Sequence, residues 1–122
     1  MHTVFKDYTF AAAHSIRGHR GKCRFLHGHN YRVRVHIAAT ELDEIGMVID
    51  FADLKTILEE ILGPFDHHVI NEIPPFDEIN TTAELLSSWV FEEVARRLPE
   101  SRLSVVKVEI WENDTACAVY GQ

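Results

Sequence analysis

The chain has 122 residues, 46% of them hydrophobic and 25% charged, the proportions of a single soluble domain (1–122) with its own core. Its net charge of −7 argues against a nucleic-acid or anionic-membrane surface, and no apolar run approaches the roughly 18–20 residues that span a bilayer. Cys23 and Cys117 do not make a disulfide scaffold and the acid-containing N-terminus is no signal peptide, so a reducing cytoplasm is the expected compartment.

Residues 3–16 suit a long strand, with Val4, Tyr8, Phe10, Ala12, His14 and Ile16 on one face. A loop with glycines, 17–28, follows. A second strand, 29–40, places His29, Tyr31, Val33, Val35, Ile37 and Ala39 on one face and Asn30, Arg32, Arg34 and His36 on the other. The spacing of Leu54, Ile57, Leu58, Ile61 and Leu62 predicts a helix over 51–62, with Asp50 as its N-cap and Gly63-Pro64 as its stop. The segment 64–81 reads as a connecting loop. Leu86, Val90, Val94 and Leu98 then predict a second helix over 82–98, capped by Thr81 or Thr82 and followed by Pro99. Residues 103–112 and 115–120 read as a hairpin around Asn113-Asp114. The order ββααββ implies an α+β fold, an antiparallel sheet covered by two helices.

Parity also gathers residues that carry chemistry. His14 and His29 fall on the apolar faces of two strands expected to pair, and the i, i+2 spacing of His27 and His29 turns both rings the same way. Three neutral imidazoles suit zinc and leave a fourth position open. Cys23 has two readings. It either closes a structural zinc site as fourth ligand, or stays free, where Arg20, Lys22 and Arg24 favour its thiolate form. Asp66-His67 is an acid–base candidate, since a carboxylate beside a histidine orients the imidazole. Glu112 falls by parity on an apolar face, where an unpaired carboxylate is costly. Arg17, Arg20, Lys22 and Arg24 concentrate positive charge in one loop, as a local anion site would. Cys117 reads as an inert core thiol, and His2, His19, His36 and His68 as surface residues.

As an ordered set, F10-A-A-A-H14, C23-x-x-x-H27-G-H29-N-Y31, V48-I-D-F51, D66-H67-x-x-I-N71, T82-A-E84 and W111-E112 resemble the 6-pyruvoyltetrahydropterin synthase family across nearly the whole chain. The resemblance implies the tunnelling fold, assembled into trimeric barrels that stack in pairs, a homohexamer with active sites between subunits. By position it implies that His14, His27 and His29 bind Zn2+, that Cys23 abstracts protons, and that Asp66 and His67 are its acid–base partner. Glu112 would hold the amino-pyrimidine edge of a pterin, with Thr82 and Glu84 beside it. The short Cys23–His27 gap and short chain look most like the bacterial queuosine-pathway branch. That branch makes 6-carboxytetrahydropterin from 7,8-dihydroneopterin triphosphate and releases acetaldehyde and triphosphate. Ile70 stands where leucine is usual, and Thr81 where proline is common. The alternatives are the 6-pyruvoyl-forming reaction, a closed zinc protein without catalysis, and a pterin-binding module.

Overall fold

The computed structural model describes residues 1–122. Five strands form one mixed sheet in the order β3-β1-β2-β4-β5. Its frame is a long antiparallel pair, β1 (His2–His14) and β2 (His27–Ala39), in register from His2 opposite Ala39 to His14 opposite His27. β4 (Leu103–Asn113) pairs antiparallel with β2, and β5 (Ala116–Gly121) with β4. The helices α1 (Phe51–Leu62) and α2 (Ala83–Arg97) follow the apolar spacing read from the sequence.

Tyr31, Val33, Val35 and Ile37 of β2 and Val108 and Ile110 of β4 form the sheet's side of the core. Leu54, Leu58, Ile61 and Leu62 of α1 and Leu86, Val90 and Val94 of α2 form the helical side. Each such side chain contributes roughly 1.5–3 kcal/mol by leaving water, so Leu58→Ala should cost about 2–5 kcal/mol. Asp50 caps α1 by accepting from the Ala52 N–H, and Thr82 caps α2 by accepting from the Leu85 N–H. Thr81 is therefore not the cap; its side chain turns inward and is fully buried.

The structure departs from the predicted elements in four places. A two-residue strand, β3 (His68–Val69), lies in the expected 64–81 loop and runs parallel to β1, making the sheet mixed. β1 ends at His14, two residues early. Beyond it, side-chain amides replace a neighbouring strand: Asn71 bonds both the N–H and the carbonyl of Ser15, and Asn80 does the same for Arg17. In β4, Leu103 and Val105 cannot share a face with Val108 and Ile110 by strict alternation. A bulge at Val106 absorbs the odd residue and returns all four to the core side. Opposite it, Gly121 has φ +132, and a Cβ there would lie 2.4 Å from the Val106 carbonyl oxygen. Lastly, Cys117 is exposed rather than a core thiol, because β5 is an edge strand with little covering it. His36 is not a free surface residue either, since its Nε2 pairs with Glu109.

Candidate active site

The pairing of β1 with β2 sets His14 directly opposite His27 and Ala12 opposite His29. His27 is already part of β2, two residues earlier than the sequence suggests, so His27 and His29 share a strand face. The three rings meet with centroids 4.6 Å (His14–His27), 5.1 Å (His14–His29) and 4.9 Å (His27–His29) apart. One nitrogen from each lies within 4.8 Å of the others.

Backbone carbonyls select the tautomers. Nδ1 of His14 lies 2.9 Å from the Thr81 carbonyl oxygen, and Nδ1 of His27 lies 2.8 Å from that of Phe25. A carbonyl only accepts, so in both rings Nδ1 carries the proton and Nε2 keeps its lone pair. Nε2 of His14 and Nε2 of His29 are buried without a partner. Burial pushes the His14 pKa down to about 4, so the ring is neutral at pH 7. Burial also lowers that of His29, against the opposing pull of Glu112.

Glu112, on a second bulge where β4 meets β5, brings Oε2 to 3.4 Å from Nε2 of His14 and 3.5 Å from Nε2 of His29. A carboxylate facing the His14 lone pair is repulsive unless a cation or proton lies between them. Neutral, orphaned imidazole nitrogens beside a carboxylate therefore fit a divalent cation of zinc's preferences. The Cys23 sulfur does not belong to this cluster. Cys23 sits half-buried in a single turn, Lys22–Arg24, tied down by a 2.8 Å bond from the Ile16 N–H to its carbonyl.

Asp66 and His67 form their own pair, with Oδ1 3.0 Å from Nδ1. The same oxygen accepts the Ala11 N–H at 3.0 Å, and the His67 N–H bonds the Ala11 carbonyl. The Ala11 bond first, and His67 second, hold the Asp66 pKa below its usual value. His67 has φ +60, a left-handed conformation that costs a non-glycine residue energy and recurs at functional sites. The pair shares a shallow concavity of about 250 Å³ with Thr9, Ala11 and Asn30. Ala11 and Asn30 alternate with Ala12 and His29, so Asp66-His67 and the histidine cluster serve opposite faces of the sheet.

Glu84 and Glu112 line a second concavity of about 330 Å³ with the exposed Cys117, at the start of α2. Thr82 adjoins it, its hydroxyl oxygen occupied by the cap bond to Leu85. The basic residues Arg17, Arg20, Lys22 and Arg24 are all exposed. Arg17 differs in one respect: its guanidinium donates to the carbonyls of Ile79 and Phe76 at 2.9 and 2.8 Å. Sequence reasoning missed the bonds of Arg17 to loop carbonyls and the framing roles of Asn71, Asn80 and Thr81. The only signal was three amide- or hydroxyl-bearing residues clustered where a bland loop was expected.

Comparison with known proteins identifies the family. The profile of the 6-pyruvoyl tetrahydropterin synthase family matches residues 3–122. The chain is 35% identical to a 6-carboxy-5,6,7,8-tetrahydropterin synthase of Synechocystis sp., over 98% of this chain and 93% of that protein. It is 37% identical to one of Haemophilus influenzae, over 98% and 99%. The structure of Caenorhabditis elegans 6-pyruvoyl tetrahydropterin synthase superposes with a TM-score of 0.86 at 27% identity, covering 98% of this chain and 94% of that one. With its fold, motifs and full-length match in accord, the chain belongs to the 6-pyruvoyl tetrahydropterin synthase family.

Proposed function

We propose that the chain is a zinc-dependent 6-carboxy-5,6,7,8-tetrahydropterin synthase of queuosine biosynthesis. It would convert 7,8-dihydroneopterin triphosphate and water to 6-carboxytetrahydropterin, acetaldehyde and triphosphate, the water supplying the oxygen of the new carboxylate. The observation that carries this reading is the division of roles at the cluster: three imidazoles converge, with Nε2 of His14 and of His29 buried and unpartnered, while the Cys23 thiol stays outside them. The names of the Synechocystis and Haemophilus relatives favour the carboxy-forming reaction.

His14, His27 and His29 would hold the zinc, whose Lewis acidity lowers the pKa of the substrate's side-chain hydroxyls and polarises the carbonyl that develops. Cys23 takes protons from the side-chain carbons, and His67, oriented by Asp66, delivers or removes others. Glu112 offers two carboxylate oxygens to the N–H donors of the amino-pyrimidine edge, with Glu84 and Thr82 at its border. Arg20, Lys22 and Arg24 hold the triphosphate. Arg17, the fourth member drawn from charge alone, is exposed with them and also braces the loop through the Ile79 and Phe76 carbonyls.

A single copy leaves the site divided, since Asp66-His67 and the cluster lie on opposite sheet faces. The sheet also has two unlike open edges, the outer side of β5 and most of β1 beyond its short pairing with β3. Unlike edges join head to tail and close into rings, which supports trimeric barrels paired into a hexamer with sites between subunits.

The test is Cys23→Ala. Retained zinc by metal analysis with no acetaldehyde released from dihydroneopterin triphosphate is the expected result. Loss of zinc would make Cys23 a ligand and the site structural. The likeness to the Caenorhabditis elegans enzyme keeps one second reading, the 6-pyruvoyl product. Turnover of the same substrate by the unaltered protein with triphosphate but no acetaldehyde would favour it.

A further inference from the structure

The proposal here rests on the metal reading above and concerns Thr81, a residue outside the ligand set. Nδ1 of His14 lies 2.9 Å from the Thr81 carbonyl oxygen and 3.2 Å from the Thr81 Oγ1. The hydroxyl has a single proton, and Oγ1 donates it to the Ser15 carbonyl at 3.0 Å. Its remaining capacity toward His14 is as an acceptor, and so is the carbonyl's. One imidazole N–H is thus shared between two oxygens of the same residue.

That residue is itself immobilised. Thr81 is 1% exposed, its N–H donates to Asn80 Oδ1 at 3.0 Å, and the Asn80 amide grips Arg17 N–H and carbonyl at 3.1 and 2.9 Å. Proline, the residue common at this place in the resembling family, has neither the hydroxyl nor the N–H. We propose that the Thr81 hydroxyl is a positioning residue for the metal centre: with its own carbonyl it holds His14 in the Nδ1–H tautomer and aims Nε2 at His27 and His29. Partners in this outer position fix ring orientation and ligand basicity.

The experiment is a titration of the full-length, metal-free protein with Co2+, as a visible-absorption reporter, and with Zn2+ against a chromogenic chelator. Thr81→Val, which keeps the shape and deletes the hydroxyl, should bind both ions about 10-fold more weakly and alter the Co2+ ligand-field bands. Thr81→Ser should restore wild-type affinity and spectrum. A purely structural contribution would lower the melting temperature of the metal-free protein and leave affinity and spectrum alone. Thr81→Val binding like wild type, or Thr81→Ser binding as weakly as Thr81→Val, overturns the proposal and leaves the metal reading standing. Wild-type protein that takes up no Co2+, behaving like His27→Ala, overturns both. Long-range proton–nitrogen NMR of the unaltered metal-free protein needs no variant to fold: an Nδ1–H signature for His14 supports the assignment, and an Nε2–H signature refutes it.

Discussion

The histidine cluster and the Asp66-His67 pair are built in opposite ways. The cluster is carried by two long paired strands, with His14 fully buried and its tautomer set by Thr81. Asp66-His67 hangs on the edge of β1 by backbone bonds to Ala11, in a left-handed turn, with the His67 side chain 80% exposed. A metal cage needs preorganisation and low dielectric, which one chain supplies from its own core. An acid–base group must reach a substrate; in the proposed reading its exposed face points away from the cage, so its complement would lie on another copy. On that reading the chain would carry two half-sites of different rigidity.

Breaking one half without the other should give the largest effect. His67→Ala is expected to slow turnover by roughly 10²–10⁴ with zinc content unchanged, whereas His27→Ala loses zinc and turnover together. Metal analysis beside single-turnover rates checks this, and loss of zinc in His67→Ala would join the two halves after all. Mixing sharpens the same contrast. Cys23→Ala and His67→Ala, each inactive alone, should regain about a quarter of wild-type activity when refolded together, because random assembly makes some sites from two intact halves. No recovery in proven mixed oligomers would put both halves in one chain.

Acid should also separate the two regions. A histidine in the unfolded chain titrates near 6.5 and the buried His14 at about 4, so between these values protons bind the unfolded chain preferentially. The His14 contribution is whole above pH 6.5, falls as the pH drops toward 4 and then levels off. The loss is at most on the order of 3 kcal/mol for the metal-free protein. Denaturant melts across that range test it, and an unchanged slope in His14→Gln would assign the loss to other groups. Asn71→Ala should cost about 1–2 kcal/mol by orphaning the Ser15 N–H and removing one of the two donors to its carbonyl, read as a shift in the urea midpoint. The smallest effect belongs to the basic loop. Paired Arg20→Gln and Lys22→Gln changes should raise the substrate KM about 3- to 10-fold and leave kcat and zinc alone. An unchanged KM would remove the loop from triphosphate binding.

Alternation made the long strands legible, and with them the approach of His14 to His29; the approach of Glu112 to both rings rests on a bulge that alternation does not show. Helical spacing and caps likewise gave α1 and α2 to within a residue or two. What stayed hidden depends on single residues answering to distant ones. The Val106 bulge is set by its neighbours in the sheet, and β3 is two residues long, too short for any period. The backbone bonds of Arg17 were not legible because charge in a sequence has no direction. Only the fold shows its guanidinium turned onto backbone carbonyls. Thr81 looked like a lost proline until its hydroxyl met His14.

The Asn71 and Asn80 amides have a consequence for how the protein ages. Each acts as a borrowed peptide group, donating and accepting along the stretch that leads out of His14. Loss of ammonia from either would replace a donor by a carboxylate oxygen set against the carbonyl of Ser15 or Arg17. Neither the core nor the three ligands would change in composition, yet the frame that aims His14 would be pushed apart. Prolonged heat would then erode metal retention through amide hydrolysis at two loop residues before the hydrophobic core gave way.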